Sequence, residues 1–391
     1  MRQLKTSVIA LAAGLLVAAC GGGGTADTTP RTSISSVRVF GDSLADSGTF
    51  GYKFTVQSPD TLIYPERVAA SYGQTLCNFY AFNGTTLAAN SKAGCTNFAI
   101  GGGVINPASS ASATSPSPVG IQVQLATGGA SAYSAGDLAL IDGGGNDAAA
   151  LVGAYLAIPK DGGASYTKLL GSLLTATQVG TAAAGGAAGL SAAGSTYMTA
   201  LADAFYASIK ANVLDKGATH VAILNMPGIT NTPRFQMVLD SIAASASAAA
   251  GGGTAGATAG AAARAQYETL FKGWIVAFNT ELSAKFAGED RVVVVDFYTN
   301  FNDQIADPAQ FALTNAKTPA CPITGQGADG LPTYTFPTCT ASALSAKPPT
   351  GVTDPNWWKS YGFADSFHPT PYGHQLTAQL ISRTLATKGW L

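Results

Sequence analysis

Charged side chains are scarce in this sequence. Only 11% of the 391 residues are Asp, Glu, Lys or Arg, whereas about 25% is usual for a soluble domain. The formal net charge is -1, and no basic cluster supplies the electrostatic footprint that binding to a phosphate backbone requires. We therefore expect no nucleic-acid partner. The abundance of Ser, Thr, Gly and Asn in place of charge instead indicates an exported protein.

Metal ligands and cofactor motifs are also lacking. The chain contains three histidines and five cysteines, and no two cysteines have the short spacing of a zinc site, so we predict no metal. Residues 143–148 match the loose dinucleotide pattern G-x-G-x-x-A. They do not lie in the first βαβ unit, however, and no acidic strand end follows about 20 residues later. We therefore predict no cofactor.

Long hydrophobic runs are absent as well. Residues 7–19 form an uncharged apolar stretch behind Arg2 and Lys5, but its 13 residues fall short of the roughly 20 that cross a bilayer. A basic start, a short apolar stretch and small residues after it are typical of a signal peptide. We therefore assign residues 1–19 to a signal peptide.

The end of this segment, Leu-Val-Ala-Ala-Cys at 16–20, resembles a bacterial lipobox. The resemblance implies that Cys20 carries a lipid anchor to the membrane and that residues 20–35, rich in Gly and Thr, form a flexible tether. The expected location is then the bacterial cell envelope, as an outer-membrane lipoprotein. Simple cleavage followed by secretion is the alternative.

The other four cysteines, Cys77, Cys95, Cys321 and Cys339, are an even number in a compartment that permits disulfides. Four cysteines allow three pairings. The two sequence-local pairs, Cys77 with Cys95 and Cys321 with Cys339, would close loops of similar size, each worth about 3 kcal/mol in the chain-entropy treatment. The connectivity stays open at this point.

Several short runs are apolar at successive positions, a pattern typical of strands that are buried on both faces of a parallel sheet. These runs are residues 37–40, 138–141, 220–224 and 291–297. Apolar residues at three- and four-residue spacings predict helices over 197–214 and 267–286. Strands that alternate with helices predict an α/β architecture with one domain over residues 36–391.

Three stretches lack these patterns and are predicted to be loops or insertions. They are residues 108–120, 180–195 and 243–263. The last is interpreted either as a flexible connector or as an Ala-rich helix, since its Gly, Ser and Thr content makes it too weakly apolar for a membrane span.

Ser43 follows the first predicted strand, in the sequence Gly-Asp-Ser-Leu at 41–44. A serine at a strand-to-helix turn is exposed at the carboxyl edge of the sheet, where α/β folds bind ligands. Its own backbone N–H can act as an oxyanion donor near a helix start. The alternative reading is that Asp42 or Ser43 only caps the following helix.

A serine nucleophile needs a base, normally a histidine that a carboxylate orients. His220 opens a predicted buried strand, and His374 lies on a predicted helix with an apolar face, so both are predicted to be structural. His368 stands three residues after Asp365, in a loop that Pro369 stiffens. This spacing can bring a carboxylate to Nδ1 while Nε2 faces the nucleophile.

The sequences at 41–44 and at 365–369 (Asp-Ser-Phe-His-Pro) resemble the first and last blocks of the GDSL, or SGNH, hydrolase family. Asn-Phe-Ala-Ile-Gly-Gly-Gly at 97–103 and Gly-Gly-Asn-Asp at 144–147 resemble its second and third blocks. The resemblance implies a three-layer α/β/α sandwich with a mainly parallel, flavodoxin-like sheet. It also implies a catalytic triad of Ser43, Asp365 and His368. The implied oxyanion hole consists of Ser43, Gly102 and Asn146.

The resemblance implies a serine esterase or lipase that cleaves carboxylic esters through an acyl-enzyme on Ser43. A small-molecule, lipid or polymeric ester is the expected substrate, and an acyltransferase or phospholipase of the same fold is the alternative. A non-catalytic surface lipoprotein is a third reading, although none of the four blocks has lost its functional residue. Trp357 and Trp358 precede the last block, where they would either contact substrate or pack in the interior.

Overall fold

The computed structural model describes residues 33–110 and 120–391. The predicted signal peptide 1–19, Cys20 and the predicted tether up to residue 32 lie outside the described residues. So do positions 111–119 of the loop predicted at 108–120. Within the two described ranges, no helix has both the length and the apolarity needed to cross a membrane.

The chain alternates strands with helices. The strands are β1 (Ser36–Phe40), β2 (Tyr80–Phe82), β3 (Leu87–Ala89), β4 (Asp137–Ile141), β5 (His220–Leu224), β6 (Val292–Val295), β7 (Asn315–Pro319), β8 (Gly325–Gln326), β9 (Pro332–Thr333) and β10 (Tyr361–Phe363). The first helices are α1 (Tyr64–Ser71), α2 (Ile121–Gly128), α3 (Gly145–Leu156), α4 (Ile158–Asp161), α5 (Ala164–Leu170) and α6 (Ala176–Ala184). The later helices are α7 (Gly186–Ile209), α8 (Pro233–Ala249), α9 (Gly253–Lys285), α10 (Phe297–Ala306), α11 (Ala341–Ser345) and α12 (Pro371–Thr387).

A four-stranded parallel sheet lies at the centre, in the order β1-β4-β5-β6. Every residue of β4 and β5 is buried, because helices cover both faces of the sheet. On one face Phe40, Ile141 and Ile223 pack with α3, α7 and α9. On the other face Val39 and Leu140 pack with α1 and α12. The predicted three-layer α/β/α sandwich is therefore confirmed.

Two of the predicted loops are helical. Residues 180–195 belong to α6 and α7, so the loop prediction there was wrong. The glycines that suggested a loop allow helices to approach closely: a Cβ on Gly194 would lie 2.1 Å from an indole atom of Trp274 in α9. Residues 243–263 likewise lie mostly in α8 and α9, as the Ala-rich-helix reading expected, and Gly256 packs against the α8 backbone.

Both sequence-local cysteine pairs are bonded, Cys77 to Cys95 and Cys321 to Cys339, and each bond spans 18 residues. The second bond lies within a segment of short elements that runs from the start of β7 to the end of β10. We call residues 315–363 the stapled segment. It has its own small core, in which Trp357 and Trp358 are buried.

The two tryptophans pack in this core, and neither lines the cavity that borders Ser43. The Trp357 indole N–H donates to the carbonyl oxygen of Leu344 at 3.0 Å, and the Trp358 indole N–H donates to Ser345 Oγ at 3.1 Å. Of the two readings from the sequence, the packing role is the one observed, since buried indoles pair their N–H groups in this way.

The start of α12 defines the end of the loop that carries His368. Thr370 is the N-cap, and its hydroxyl accepts a hydrogen bond from the N–H of Gly373. Pro371 occupies the first helical position, where its missing N–H costs nothing. The helix therefore begins three residues after His368 and leaves that side chain at the carboxyl edge of the sheet.

Candidate active site

Ser43 lies in the turn that follows β1, and two buried side chains hold this turn through its backbone. Gln124 binds Gly41 twice: Oε1 accepts from the Gly41 N–H at 2.9 Å, and Nε2 donates to the Gly41 carbonyl at 3.0 Å. Asp142 Oδ1 accepts from the Asp42 N–H at 3.0 Å. A Cβ on Gly41 would lie 1.5 Å from the same Asp142 oxygen, so only glycine fits there.

Ser43, His368 and Asp365 form one hydrogen-bonded chain. Ser43 Oγ lies 2.7 Å from His368 Nε2, and His368 Nδ1 lies 2.9 Å from Asp365 Oδ2. A carboxylate can only accept, so Nδ1 carries the ring proton and Nε2 accepts from the Ser43 hydroxyl. The structure thus brings the three side chains together, although Ser43 and His368 are 325 positions apart in the sequence.

Asp365 is buried and accepts hydrogen bonds at both oxygens. Its Oδ1 accepts from the backbone N–H groups of Phe367 and His368, at 2.8 and 2.6 Å. Burial by itself would raise the pKa of Asp365, but the nearby His368 and these donors outweigh burial, and the net pKa lies below the ordinary value. Asp365 is therefore a carboxylate at neutral pH, and its bonds hold the loop and the imidazole together.

Three aromatic rings surround the imidazole of His368. The ring centroids of Phe54, Phe336 and Phe367 lie 5.3, 5.5 and 5.6 Å from that of His368. We call these three residues the aromatic box. Phe54 comes from the loop after the first block and Phe336 from the stapled segment, so the sequence offered no local signal for either contact.

Gly102 and Asn146 lie next to the Ser43 turn. Asn146 Nδ2 donates to the carbonyl of Gly103 at 2.9 Å, and a Cβ on Gly103 would lie 2.6 Å from the carbonyl oxygen of Gly41. An amide has two N–H bonds, so Asn146 keeps a second donor. Gly102 has a φ of 81°, a conformation that favours glycine, and its N–H has no acceptor among the described residues.

Two buried carboxyls that the sequence analysis missed tie these blocks together. Asp46 accepts from the N–H groups of Thr49 and Gly101, at 2.7 and 2.8 Å, and so joins the first block to the second. Asp147 accepts from the N–H groups of Ile105 and Asn106, both at 2.9 Å. Burial raises the pKa of Asp147 to about 6, even though these donors lower it. Asp147 lies inside the third block and Asp46 two residues after the first block, and this placement was the only available signal.

His374 and His220 have no contact with Ser43. His374 is buried, and its Nδ1 accepts from the backbone N–H of Tyr64 at 3.4 Å. Burial, and to a smaller extent nearby basic side chains, lowers the pKa of His374 to about 3, so the ring is neutral. His220 stands at the first position of β5, at the opposite edge of the sheet.

The glycine run before Asn146 serves packing. Gly144 has a φ of 98° and caps α3, and a Cβ there would lie 2.6 Å from Met226 Cε. Across residues 33–110 and 120–391, no cluster of three His, Cys, Asp or Glu side chains is arranged to hold a metal ion.

The sequence profile of the GDSL-like Lipase/Acylhydrolase family matches residues 37–381. The chain belongs to this family. The match covers all four blocks and most of the chain, and it supports hydrolysis of an ester bond, with a small-molecule or lipid ester as substrate, in general terms. No curated protein sequence matches this GDSL hydrolase.

In this GDSL hydrolase the predicted triad residues meet at the carboxyl edge of the sheet, where β1 delivers Ser43. Of the other two oxyanion candidates, Gly102 lies in a separate loop and Asn146 lies just after the end of β4. They approach Ser43 because parallel strands end at the same edge. The four bonded cysteines lie outside this arrangement.

Proposed function

We propose that the protein is a serine hydrolase of carboxylic esters and that the acyl group passes through an ester on Ser43 before it reaches water. One observation carries the proposal: Ser43 Oγ lies 2.7 Å from His368 Nε2 while Asp365 occupies Nδ1 of the same ring. Nucleophile, base and orienting carboxylate in this order are what serine catalysis requires.

The proposed reaction has two halves. His368 takes the proton of Ser43 as Oγ attacks the carbonyl carbon of the ester, and it then gives that proton to the departing alcohol. Asp365 holds the ring in the required tautomer and stabilises the imidazolium. In the second half, water attacks the acyl-enzyme, again with His368 as the base, and Ser43 is regenerated.

Negative charge develops on the carbonyl oxygen in both halves. The proposed donors to it are the backbone N–H groups of Ser43 and Gly102 and the free N–H of Asn146. Each donor of this type is typically worth about 3 kcal/mol of transition-state stabilisation. The support for this assignment is the contact of Asn146 with Gly103 and of Gly103 with the Ser43 turn.

The test is Ser43→Ala, measured with p-nitrophenyl butanoate, alongside fluorophosphonate labelling of the intact wild-type protein. We expect the variant to lose at least about 10³-fold in kcat while its circular dichroism is unchanged, and the label to map to Ser43. Near-normal turnover by the folded variant, or a label on another residue, would refute the proposal. Product analysis with an added alcohol distinguishes hydrolysis from acyl transfer to that alcohol.

We also propose that Cys20 carries the lipid anchor, on the support of the lipobox resemblance at 16–20. The test is incorporation of labelled palmitate in a bacterial host. Wild-type protein should take up the label and sediment with membranes, and Cys20→Ser should do neither. Uptake by neither protein, with cleaved wild-type chain in the medium, would support simple secretion instead.

A further inference from the structure

A partly open cavity of about 50 Å³ lies beside Ser43, between the carboxyl edge of the sheet and α10 and α12. Most of its wall is hydrocarbon. Among the apolar side chains of the wall, three come from α10 and three come from the ends of β5 and β10 and from the chain before β7. They are Leu224, Phe297, Phe301, Ile305, Leu313 and Phe363.

The amide and hydroxyl groups in the wall are engaged with the protein itself. Asn225 accepts from the Tyr298 N–H at 2.7 Å and donates to Asp296 at 3.1 Å. Gln304 Nε2 donates to a side-chain oxygen on its own helix at 2.8 Å, and the Thr377 hydroxyl donates to a carbonyl one turn earlier. With these groups paired, the cavity suits a hydrocarbon chain, since a polar ligand there would lose its hydration without gaining partners.

Two carboxyls, Asp42 and Asp142, border the cavity at the end near Ser43. Both are already committed to the Ser43 turn. Asp142 accepts from the Asp42 N–H and, at 2.8 Å, from the Tyr64 hydroxyl, and Asp42 Oδ1 accepts from the Leu44 N–H at 2.9 Å. They therefore shape the entrance and leave the remainder of the wall apolar.

The position of the cavity decides which half of an ester enters it. The leaving alcohol oxygen must reach His368, and the carbonyl oxygen must reach Gly102 and Asn146, if the proposed function is correct. None of these three residues borders the cavity, whereas Ser43 does. The acyl chain is the one remaining substituent of the carbonyl carbon, so it is the part that points into the cavity.

We propose that this cavity is the acyl-chain subsite and that it restricts the enzyme to short acyl groups, from acetyl to butanoyl. The inference rests on the proposed function and adds the substrate class to it. An engineered apolar cavity of about 150 Å³ binds benzene, and this cavity has about 50 Å³. By that scale it holds roughly two to three carbon atoms beyond the carbonyl carbon, so butanoyl, with three, is the largest acyl group expected to fit.

Phe301 is the best position at which to enlarge the subsite. Its ring lies 5.9 Å from that of Phe297 and 6.0 Å from that of Phe363, in centroid distance. It is only partly buried, so its removal opens the wall without removing a fully buried core ring. Leu313 is 5% exposed, and a larger side chain there would fill the same space.

The experiment measures kcat/KM for p-nitrophenyl acetate, butanoate and octanoate with the wild-type protein, Phe301→Ala and Leu313→Phe. One methylene that a pocket must accept or reject changes kcat/KM by 10-fold or more. We expect wild type to prefer butanoate over octanoate by at least about 10-fold. Phe301→Ala should reduce that ratio at least 10-fold, and Leu313→Phe should shift preference from butanoate towards acetate. Phe82→Ala is the control, since Phe82 is 37% exposed and does not border the cavity.

A wild-type protein that hydrolyses octanoate as fast as butanoate, with a ratio that neither variant changes, would overturn the subsite while Ser43→Ala stays inactive. An active Ser43→Ala variant would instead overturn the proposed function. If Phe301→Ala fails to fold, Leu313→Phe still tests the subsite, because it makes the cavity smaller and should shift the preference towards acetate.

Discussion

Ser43 and His368 touch, yet they are positioned by different physical means. The Ser43 turn is held through backbone groups, which bind the buried side chains of Gln124 and Asp142. His368 is held by Asp365 and by packing within the aromatic box. The first arrangement belongs to the central sheet, and the second draws on the stapled segment, which has a core of its own.

This difference separates stability from catalysis. The Gly41 and Asp42 N–H groups each have one partner, Gln124 and Asp142. A buried N–H that loses its partner stays unpaired, so damage on the Ser43 side destabilises the central sheet. An aromatic packing contact, unlike a hydrogen bond, leaves no unpaired polar group when it is lost. Damage on the His368 side should therefore leave the sheet intact and let the imidazole move. Misplacement of a catalytic group by about 1 Å can cost 100-fold in rate. The predictions below test this contrast.

The largest effect is expected from Asp365→Asn. The amide can no longer stabilise the imidazolium and favours the wrong tautomer, which costs about 10⁴-fold in kcat in serine catalysis. Unfolding in urea should change little, since the amide oxygen can still accept from the loop N–H groups. Asp215→Asn, at an exposed ion pair, is the control. A kcat within 10-fold of wild type would contradict the role given to Asp365.

Gln124→Met tests the Ser43 side. Methionine keeps the volume but leaves the Gly41 N–H unpaired in the interior, and an unpaired buried group costs about 1–3 kcal/mol. The Gly41 carbonyl loses the Gln124 amide but keeps the Ile100 N–H, at 3.3 Å. We expect the free energy of unfolding to fall by about 2 kcal/mol, measured by urea denaturation. The exposed Gln310→Met is the matched control. An unchanged midpoint would show that the backbone clamp does not stabilise the turn.

The two disulfides provide a matched pair, because both span 18 residues. Removal of either by a double Cys→Ser change should lower the free energy of unfolding by about 3 kcal/mol. Loss of Cys321–Cys339 should also lower kcat by about 10-fold, because Phe336 loses its fixed place in the aromatic box. Loss of Cys77–Cys95 should leave kcat within about 3-fold.

The Cys77–Cys95 disulfide lies close to the second block, so its small predicted effect on kcat needs a reason. Asn97 Nδ2 donates to the Ala45 carbonyl at 2.8 Å, and the Gly101 N–H donates to Asp46 at 2.8 Å. These bonds hold the block against the Ser43 turn without the disulfide. Equal losses of kcat in the two double variants would remove the contrast.

His374 stands between the two sides, since Tyr64 binds both His374 and Asp142. Burial lowers the pKa of His374 to about 3, whereas an unfolded histidine titrates near 6.5. Between these values only the unfolded chain binds the proton, so this group's stability contribution is lost as the pH falls from about 6.5 to 3, with a limiting slope of about 1.4 kcal/mol per pH unit.

The measurement is the free energy of unfolding at pH 6.5, 5.5 and 4.5 for wild type and His374→Asn. Asparagine retains an acceptor for the Tyr64 N–H and does not titrate, so the difference between the two proteins should narrow as the pH falls. The free energies of the two proteins are compared because buried acids such as Asp147, whose pKa is raised to about 6, change the stability with pH in the opposite direction. These acids are present in both proteins, so their effect cancels in the difference. Parallel curves would show that His374 does not supply this dependence.

The smallest effect is expected from Phe336→Leu. A leucine keeps most of the volume but loses the edge-to-face contact with His368, which is worth about 0.5–1.5 kcal/mol. As a positioning residue, Phe336 should affect kcat by about 3- to 10-fold and leave KM unchanged, because the acyl subsite lies elsewhere. A change confined to KM would mean that Phe336 contacts substrate. Phe286→Leu, in the helical layer, controls for loss of a buried ring.

The strands and the four blocks were predictable because their signals are local. Residues 220–224 are β5 as predicted, and β1 and β4 begin one residue before the predicted runs. The helices over 180–195 were not predictable, because glycine lowers helix propensity and the compensating contact of Gly194 with Trp274 joins residues 80 positions apart. The pairing of the cysteines was one of three possibilities until the fold brought each local pair together.

By itself the sequence determined the fold class and the order of the functional blocks, because buried parallel strands have a local apolar signature and their carboxyl ends share one edge. That is enough to bring Ser43 and Asn146 to the same place. Only the tertiary structure decided which rings surround His368 and how much space lies beside Ser43. Those properties depend on side chains such as Phe54, Phe301 and Phe336, whose contacts join segments that are distant along the chain and leave no pattern in it.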